Sequence, residues 1–109
     1  MISVETKTQH DADDVIYEFG ISGHAGSDVK GKDVVCAAIS MIEHMFVRWC
    51  FTSIYTKIEE YICEGGATYI KLKIFNETVF REIKLFVETG LSEVAREYPE
   101  NVTFTSMKE

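Results

Sequence analysis

A single proline, Pro99, interrupts the chain, and no stretch rich in proline, glycine and serine divides it. With no linker, residues 1–109 are expected to form a single domain. Cysteine is also scarce. Cys36, Cys50 and Cys63 make an odd count, which argues against a disulfide framework. No pair of them has CxxC spacing, and together with His24 and His44 they fit no zinc pattern. No metal and no other cofactor is expected. No uninterrupted apolar run approaches the roughly 20 residues that span a membrane. The opening MISVETKTQHDADD lacks the basic region and apolar stretch of a signal peptide. A membrane partner is therefore not expected, and a cytoplasmic location is. Basic residues are outnumbered, 11 against 18 acidic, for a net charge of −7. That sign disfavours direct binding of nucleic acid but suits a basic protein or peptide.

What is present is enough for one core: 46% of the residues are hydrophobic and 12% aromatic. Residues 1–9 read as a strand with Ile2 and Val4 on one face. Val15, Tyr17, Phe19 and Ile21 alternate with Glu18, Gly20 and Ser22, the period of a half-buried strand. The polar HDADD between the two runs suits a hairpin turn. A glycine-rich, almost apolar-free segment, SGHAGSDVKGK, follows and reads as a mobile loop. From about Asp33, Val35, Ala38, Ile39, Ile42 and Phe46 recur at helical spacing. The end of that helix, within residues 50–57, is ambiguous. Ile58–Cys63 and Ala67–Phe75 flank Gly65-Gly66, the composition of a tight hairpin. Residues 77–97 form a second helical stretch with Phe80, Ile83, Val87, Leu91 and Val94 on one face, and Gly90 is a point where it could break or kink. Pro99 ends it, and Val102–Ser106 suits a last strand. The expected fold is α+β: a two-layer sandwich, a mainly antiparallel sheet with two helices on one face, in the order strand-strand-helix-strand-strand-helix-strand.

The chemistry concentrates in residues 23–40, GHAGSDVKGKDVVCAAIS. His24 ends a strand and Cys36 lies in the first turn of a helix, with the glycine-rich loop between them. A thiolate, not a thiol, is the nucleophile, and a helix N-terminus with its free N–H groups stabilises negative charge. The same N–H groups could hold an oxyanion. By residues alone Cys36 is as well explained as a small packed helix residue and His24 as an ordinary loop histidine.

The segment resembles the signature of the bacterial ribosomal-processing cysteine proteases of the Prp family. It carries Gly23-His24-Ala25, Gly31, and Asp33-Val34-Val35-Cys36-Ala37-Ala38-Ile39-Ser40. Residues 90–104, GLSEVAREYPENVTF, also resemble the family's C-terminal part. The resemblance implies a cysteine endopeptidase that removes the N-terminal extension of a basic large-subunit ribosomal protein, the twenty-seventh, during ribosome maturation. It implies Cys36 as nucleophile, His24 as base and acid, and Gly23, Asp33 and Ser40 as supporting motif positions. It also implies a homodimer. Asp33 has two readings, an N-cap or a group that orients His24. Ser40 lies one helical turn beyond Cys36 on the same face. Cys50 and Cys63 read as buried thiols and His44 as a helix-surface histidine. Phe46, Trp49 and Phe51 are candidates equally for the core and for a contact surface. The loop from Ala25 to Lys32 is expected to close over a bound extension. A different class of function stays open: a non-catalytic dimeric module that binds the ribosomal precursor. A thiol hydrolase acting on a small ester is a third reading.

Overall fold

The computed structural model describes residues 1–23 and 32–108, with the side chains of Lys32 and Asp33 also outside the description. The elements are β1 (Ile2–Asp11), β2 (Asp14–Ser22), α1 (Lys32–Thr52), β3 (Thr56–Glu64), β4 (Ala67–Ile74), α2 (Glu77–Glu97) and β5 (Val102–Lys108). They make one five-stranded sheet in the order β3-β4-β2-β1-β5. Every neighbouring pair is antiparallel except β1–β5, which is parallel. The expected α+β sandwich and its order of elements are what the structure shows.

Period-two patterning decides which side of the sheet is inside. Ile2, Val4, Tyr17, Phe19, Ile21, Ile70, Leu72 and Ile74 are all buried on one face, and both helices cover it. Tyr17 sits at the centre, edge-on to Phe46 of α1 (5.9 Å between centroids) and Phe80 of α2 (5.0 Å). The tyrosine hydroxyl would be costly to bury alone, but it donates to Glu88 Oε2 at 2.6 Å. Thr6 and Ser106 donate to the same carboxylate, each at 3.0 Å. Burial and the Glu88 charge push the Tyr17 phenol far up.

The turns form where the sequence supplies their backbone angles. Gly65 and Gly66 have φ of 60° and 77°, the positive pair that a two-residue hairpin needs. The first hairpin turns through Ala12 at φ 55°. Asn76 caps α2, its side chain accepting from the Val79 N–H at 3.0 Å. Gly90 does not break α2, which runs unbroken to Glu97. A Cβ there would stand 3.3 Å from Ile42 Cδ1, so the missing side chain lets the two helices approach.

Two open readings are resolved and one changes. Helix α1 enters the ambiguous region and ends at Thr52. Its segment Val34–Thr52 is long and apolar enough to cross a membrane by length and composition, although in the fold it lies on the sheet with Val35, Ile39, Phe46, Val47 and Cys50 buried. Cys63, expected in the core, is exposed on β3, an edge strand whose residues from Glu59 to Glu64 are all exposed. Of the three aromatics, Phe46 is core, Trp49 is half-buried and Phe51 is exposed.

Candidate active site

The site is built where β2 ends and α1 begins. Both sit at the same pole of the sheet, with Ile2, Ser22, Thr68 and Val102 at the neighbouring strand ends. Gly23 leaves β2 with φ +82°, a left-handed conformation that costs a side-chain-bearing residue energy. A Cβ at Gly23 would also fall inside the van der Waals envelope of the Met1 carbonyl oxygen. The motif glycine therefore has two steric reasons, and both concern how the chain is aimed out of β2. His24 and residues 25–31 lie outside the described residues, and so does the expectation of a closing loop.

Cys36 is the fifth residue of α1 and half-buried, one residue beyond the first turn rather than inside it. A helical Cα–Cβ bond tilts toward the N-terminus, so the Cys36 side chain leans toward the first turn of α1. The flank of Cys36 packs against the core cluster, which sets the side chain in place. Asp33 is the second residue of α1, within the first turn and not at the cap position. Ser40 is half-buried one turn on, and Val47 two turns further is buried on the same side. His44 is exposed, as expected.

One residue of this face was missed from sequence. Glu43 is only 3% exposed, and Thr68 Oγ1 of β4 donates to its Oε2 at 2.9 Å. Thr68 Oγ1 also lies 3.6 Å from Cys63 Sγ across the hairpin. Residues 36, 40 and 43 follow helical spacing, so a carboxylate in the stripe that carries Cys36 was the signal available. A pair of buried polar groups needs each other, and the pairing docks the first half of α1 on the β3–β4 hairpin.

Cys50 is the contrasting thiol. It is buried, 3% exposed, and burial pushes it up to about 12. It is a core residue with no reactive form near neutral pH. Cys63 is exposed but lies on a strand, not on a helix.

The fold and its helix-borne cysteine define a class, and comparison with known proteins agrees: the family model that matches residues 1–103 describes cysteine proteases. The family is Prp, and this chain belongs to it. Among solved structures, the essential ribosomal processing protease Prp from S. aureus, in complex with a substrate peptide, aligns with a TM-score of 0.79 at 22% identity, covering 97% of this chain and 99% of that one. The same S. aureus protease with a covalently linked product peptide aligns at 0.74 and 24% identity, with the same coverage. SMU.848 from Streptococcus mutans aligns at 0.74 and 23% identity over 100% of this chain and 96% of its own. The comparison with curated proteins finds no match.

Proposed function

We propose that this protein is an endopeptidase that removes the N-terminal extension of a large-subunit ribosomal protein, the twenty-seventh, using Cys36 as nucleophile and His24 as its base. The observation that carries the reading is the position of Cys36, half-buried at the start of α1, at the pole where β2 ends and Gly23 follows. The S. aureus relative, solved with a substrate peptide and with a covalently linked product peptide, supports it.

The chemistry follows from the groups. The Cys36 thiolate attacks the scissile carbonyl carbon, and the N–H groups at the start of α1 hold the oxyanion. The His24 imidazolium gives its proton to the leaving amine as the C–N bond breaks, and a thioester remains. His24 then takes a proton from water, the hydroxide adds to the thioester, and Cys36 leaves as thiolate. Ser40 and Asp33, as motif positions on the first turns of α1, support this arrangement. Their role is positioning.

The protein is further proposed to act as a homodimer in the cytoplasm on a basic precursor, without a cofactor and without contacting nucleic acid or membrane itself. The surface for a second copy is on the helices. Ile42, Met45, Trp49, Ile83, Phe86 and Gly90 line an apolar groove of about 490 Å³ between α1 and α2, with Met45 57% and Phe86 72% exposed.

The test is incubation with the matching ribosomal precursor and mass spectrometry of both fragments. Cys36→Ser and His24→Ala are expected to keep the wild-type circular dichroism and to lose cleavage by at least a thousandfold, the scale of removing a nucleophile or its base. Substantial cleavage by either variant would refute the dyad. Binding of the precursor by wild-type protein without cleavage would show a binding module instead.

A further inference from the structure

The sheet has two edges, and they differ. β5 (VTFTSMK) carries no acidic residue, while β3 (TKIEEYICE) carries three glutamates against one lysine. β3 lies beneath α1, the helix of Cys36, and β5 beneath α2. β3 is also unusually bare. From Glu59 to Glu64 every residue is exposed, including Tyr61 at 40% and Ile62 at 42%. Phe51 of α1, 58% exposed, stands edge-on to Tyr61 with centroids 5.5 Å apart.

The ladder shows which main-chain groups are unpaired at that edge. Glu64↔Ala67 closes the two-residue turn and is thus a hydrogen-bonded pair. Alternation makes Ile62↔Tyr69 the next such pair. The main-chain N–H and C=O groups of Tyr61 and Cys63 therefore point away from β4, outward from the sheet. The bulge between Ile58 and Glu60 shifts the register and separates this stretch from the first half of β3. The exposed stretch ends at the pole of the candidate site: Cys63 pairs with Thr68, which bonds Glu43 on the helix face of Cys36. Thr68 is itself paired with Ile21, two residues before Gly23.

Charge selects the occupant. Glu60 stands opposite Lys71 in the ladder. Glu64 stands opposite Ala67, and Glu59 has no cross-strand partner because of the bulge. Two carboxylates on this edge are thus unmatched by a cross-strand lysine, beside an exposed aromatic pair. That combination fits an extended chain with basic and apolar side chains.

We propose that the outer edge of β3 from Glu59 to Glu64 docks an extended, basic segment of the protein substrate as an added strand and feeds it toward Cys36. The proposal rests on the protease reading above and adds the surface that holds the chain. Main-chain pairing with Tyr61 and Cys63 would supply affinity without regard to sequence, and Glu59, Glu64 and the Phe51–Tyr61 pair would select basic and apolar side chains. A protease acts only on chain drawn out straight, which a strand edge provides.

The experiment uses full-length Cys36→Ala protein and a synthetic peptide covering the extension and first residues of the ribosomal precursor. Amide hydrogen exchange at Tyr61 and Cys63 is expected to slow at least tenfold on saturation with the peptide. Cys63→Pro, which removes an outward N–H and leaves the β3–β4 ladder intact, is expected to bind at least tenfold more weakly than Cys63→Ala. Replacing the basic residues of the peptide with glutamine is expected to weaken binding to the parent, and to do so much less in Glu59→Gln/Glu64→Gln protein. Peptide binding that leaves both amides unchanged would overturn the proposal, while intact cleavage by wild-type protein would leave the protease reading standing. Amides at 61 and 63 already protected in free protein, increasingly so with its concentration, would mean that a second copy covers the edge, and would also overturn it. If wild-type protein fails to cleave the precursor and Cys36→Ala fails to bind the peptide, the protease reading falls and the docking proposal with it.

Discussion

Two thiols on one helix, fourteen positions apart, have opposite fates, and burial decides between them. Cys36 lies near the start of α1 and is half-buried, whereas Cys50 is sealed beneath Thr56, whose Oγ1 bonds its carbonyl at 3.3 Å. Iodoacetamide at pH 7 should therefore label Cys36 and Cys63 in folded protein and Cys50 only after unfolding. Cys50 also has a consequence for alkaline stability. Burial raises it from 9.0 to about 12, so the folded state keeps its proton where the unfolded state loses it. Its contribution is fully present below pH 9 and is lost progressively as pH rises from there to about 12. The slope from this one group reaches at most about 1.4 kcal/mol per pH unit. The melting temperature should fall above pH 9, and Cys50→Ala, though less stable at neutral pH, should show a shallower fall. Equal slopes in the two proteins would show that Cys50 ionisation is not involved. At this scale the sequence was legible where a side chain has one dominant option, as in the alternating Tyr17, Phe19 and Ile21. It misled at Cys63, because exposure there follows from β3 lying at the edge of the sheet, a place in the strand order that composition does not encode.

The elements were legible because local signals agree with one another. Gly65-Gly66 lies between two alternating runs, and Asn76 stands before an apolar face at helical spacing. Each is a boundary marked by backbone chemistry rather than by packing. The end of α1 carried no such mark, since residues 50–54 contain neither glycine nor proline, and only tertiary contacts fix it. Gly90 misled for a related reason: its role is the approach of Ile42 from the other helix, a contact no local rule reports. The candidate site was legible as a motif, Gly23-His24 with Asp33, Cys36 and Ser40, while Glu43 was not, since its partner Thr68 is 25 positions away. The cap at Asn76 gives the test at this scale. Asn76→Ala should cost about 1 kcal/mol, a fall in melting temperature of about 4–8 °C. Thermal unfolding followed by circular dichroism would measure it, and an unchanged midpoint would mean that the cap is replaced by another acceptor.

At the scale of the whole molecule, the two faces of the sandwich have different characters. The open face of the sheet needs no cover. Lys71 lies between Glu60 and Glu18 in the register, Lys73 reaches Asp14 at 3.4 Å, and the Tyr69 hydroxyl donates to Glu18 at 2.5 Å. A dimer is therefore not required to cover this face, because charged and polar side chains solvate it. The apolar excess is instead outside the helices, where Met41, Met45, Leu85 and Phe86 are each more than half exposed. A homodimer through the α1–α2 groove predicts a molar mass by light scattering near twice 12.4 kDa at micromolar concentration. Phe86→Glu, which places a charge in that groove, should shift it to the monomer without altering the circular dichroism. A wild-type mass of one chain would reject the dimer, and a Phe86→Glu mass of two would move the interface elsewhere.

The parallel pairing of β1 with β5 makes the first strand depend on the last. Ile2 pairs with Val102, and the Ile2 N–H donates to the Asn101 carbonyl at 2.8 Å. Strands β1 and β2 can join as a hairpin as soon as they are made, but the outer side of β1 has no partner until almost the whole chain exists. The contact closes a loop of about a hundred residues, whose entropy cost rises only slowly with length, so it delays assembly more than it weakens the product. During synthesis the pole that holds Gly23 and α1 therefore remains unfinished, and the Met1 carbonyl against which Gly23 packs is secured only when β5 arrives. The order of synthesis therefore sets an order of assembly: a nascent chain carries Cys36 long before it has the finished framework of the pole at which α1 begins.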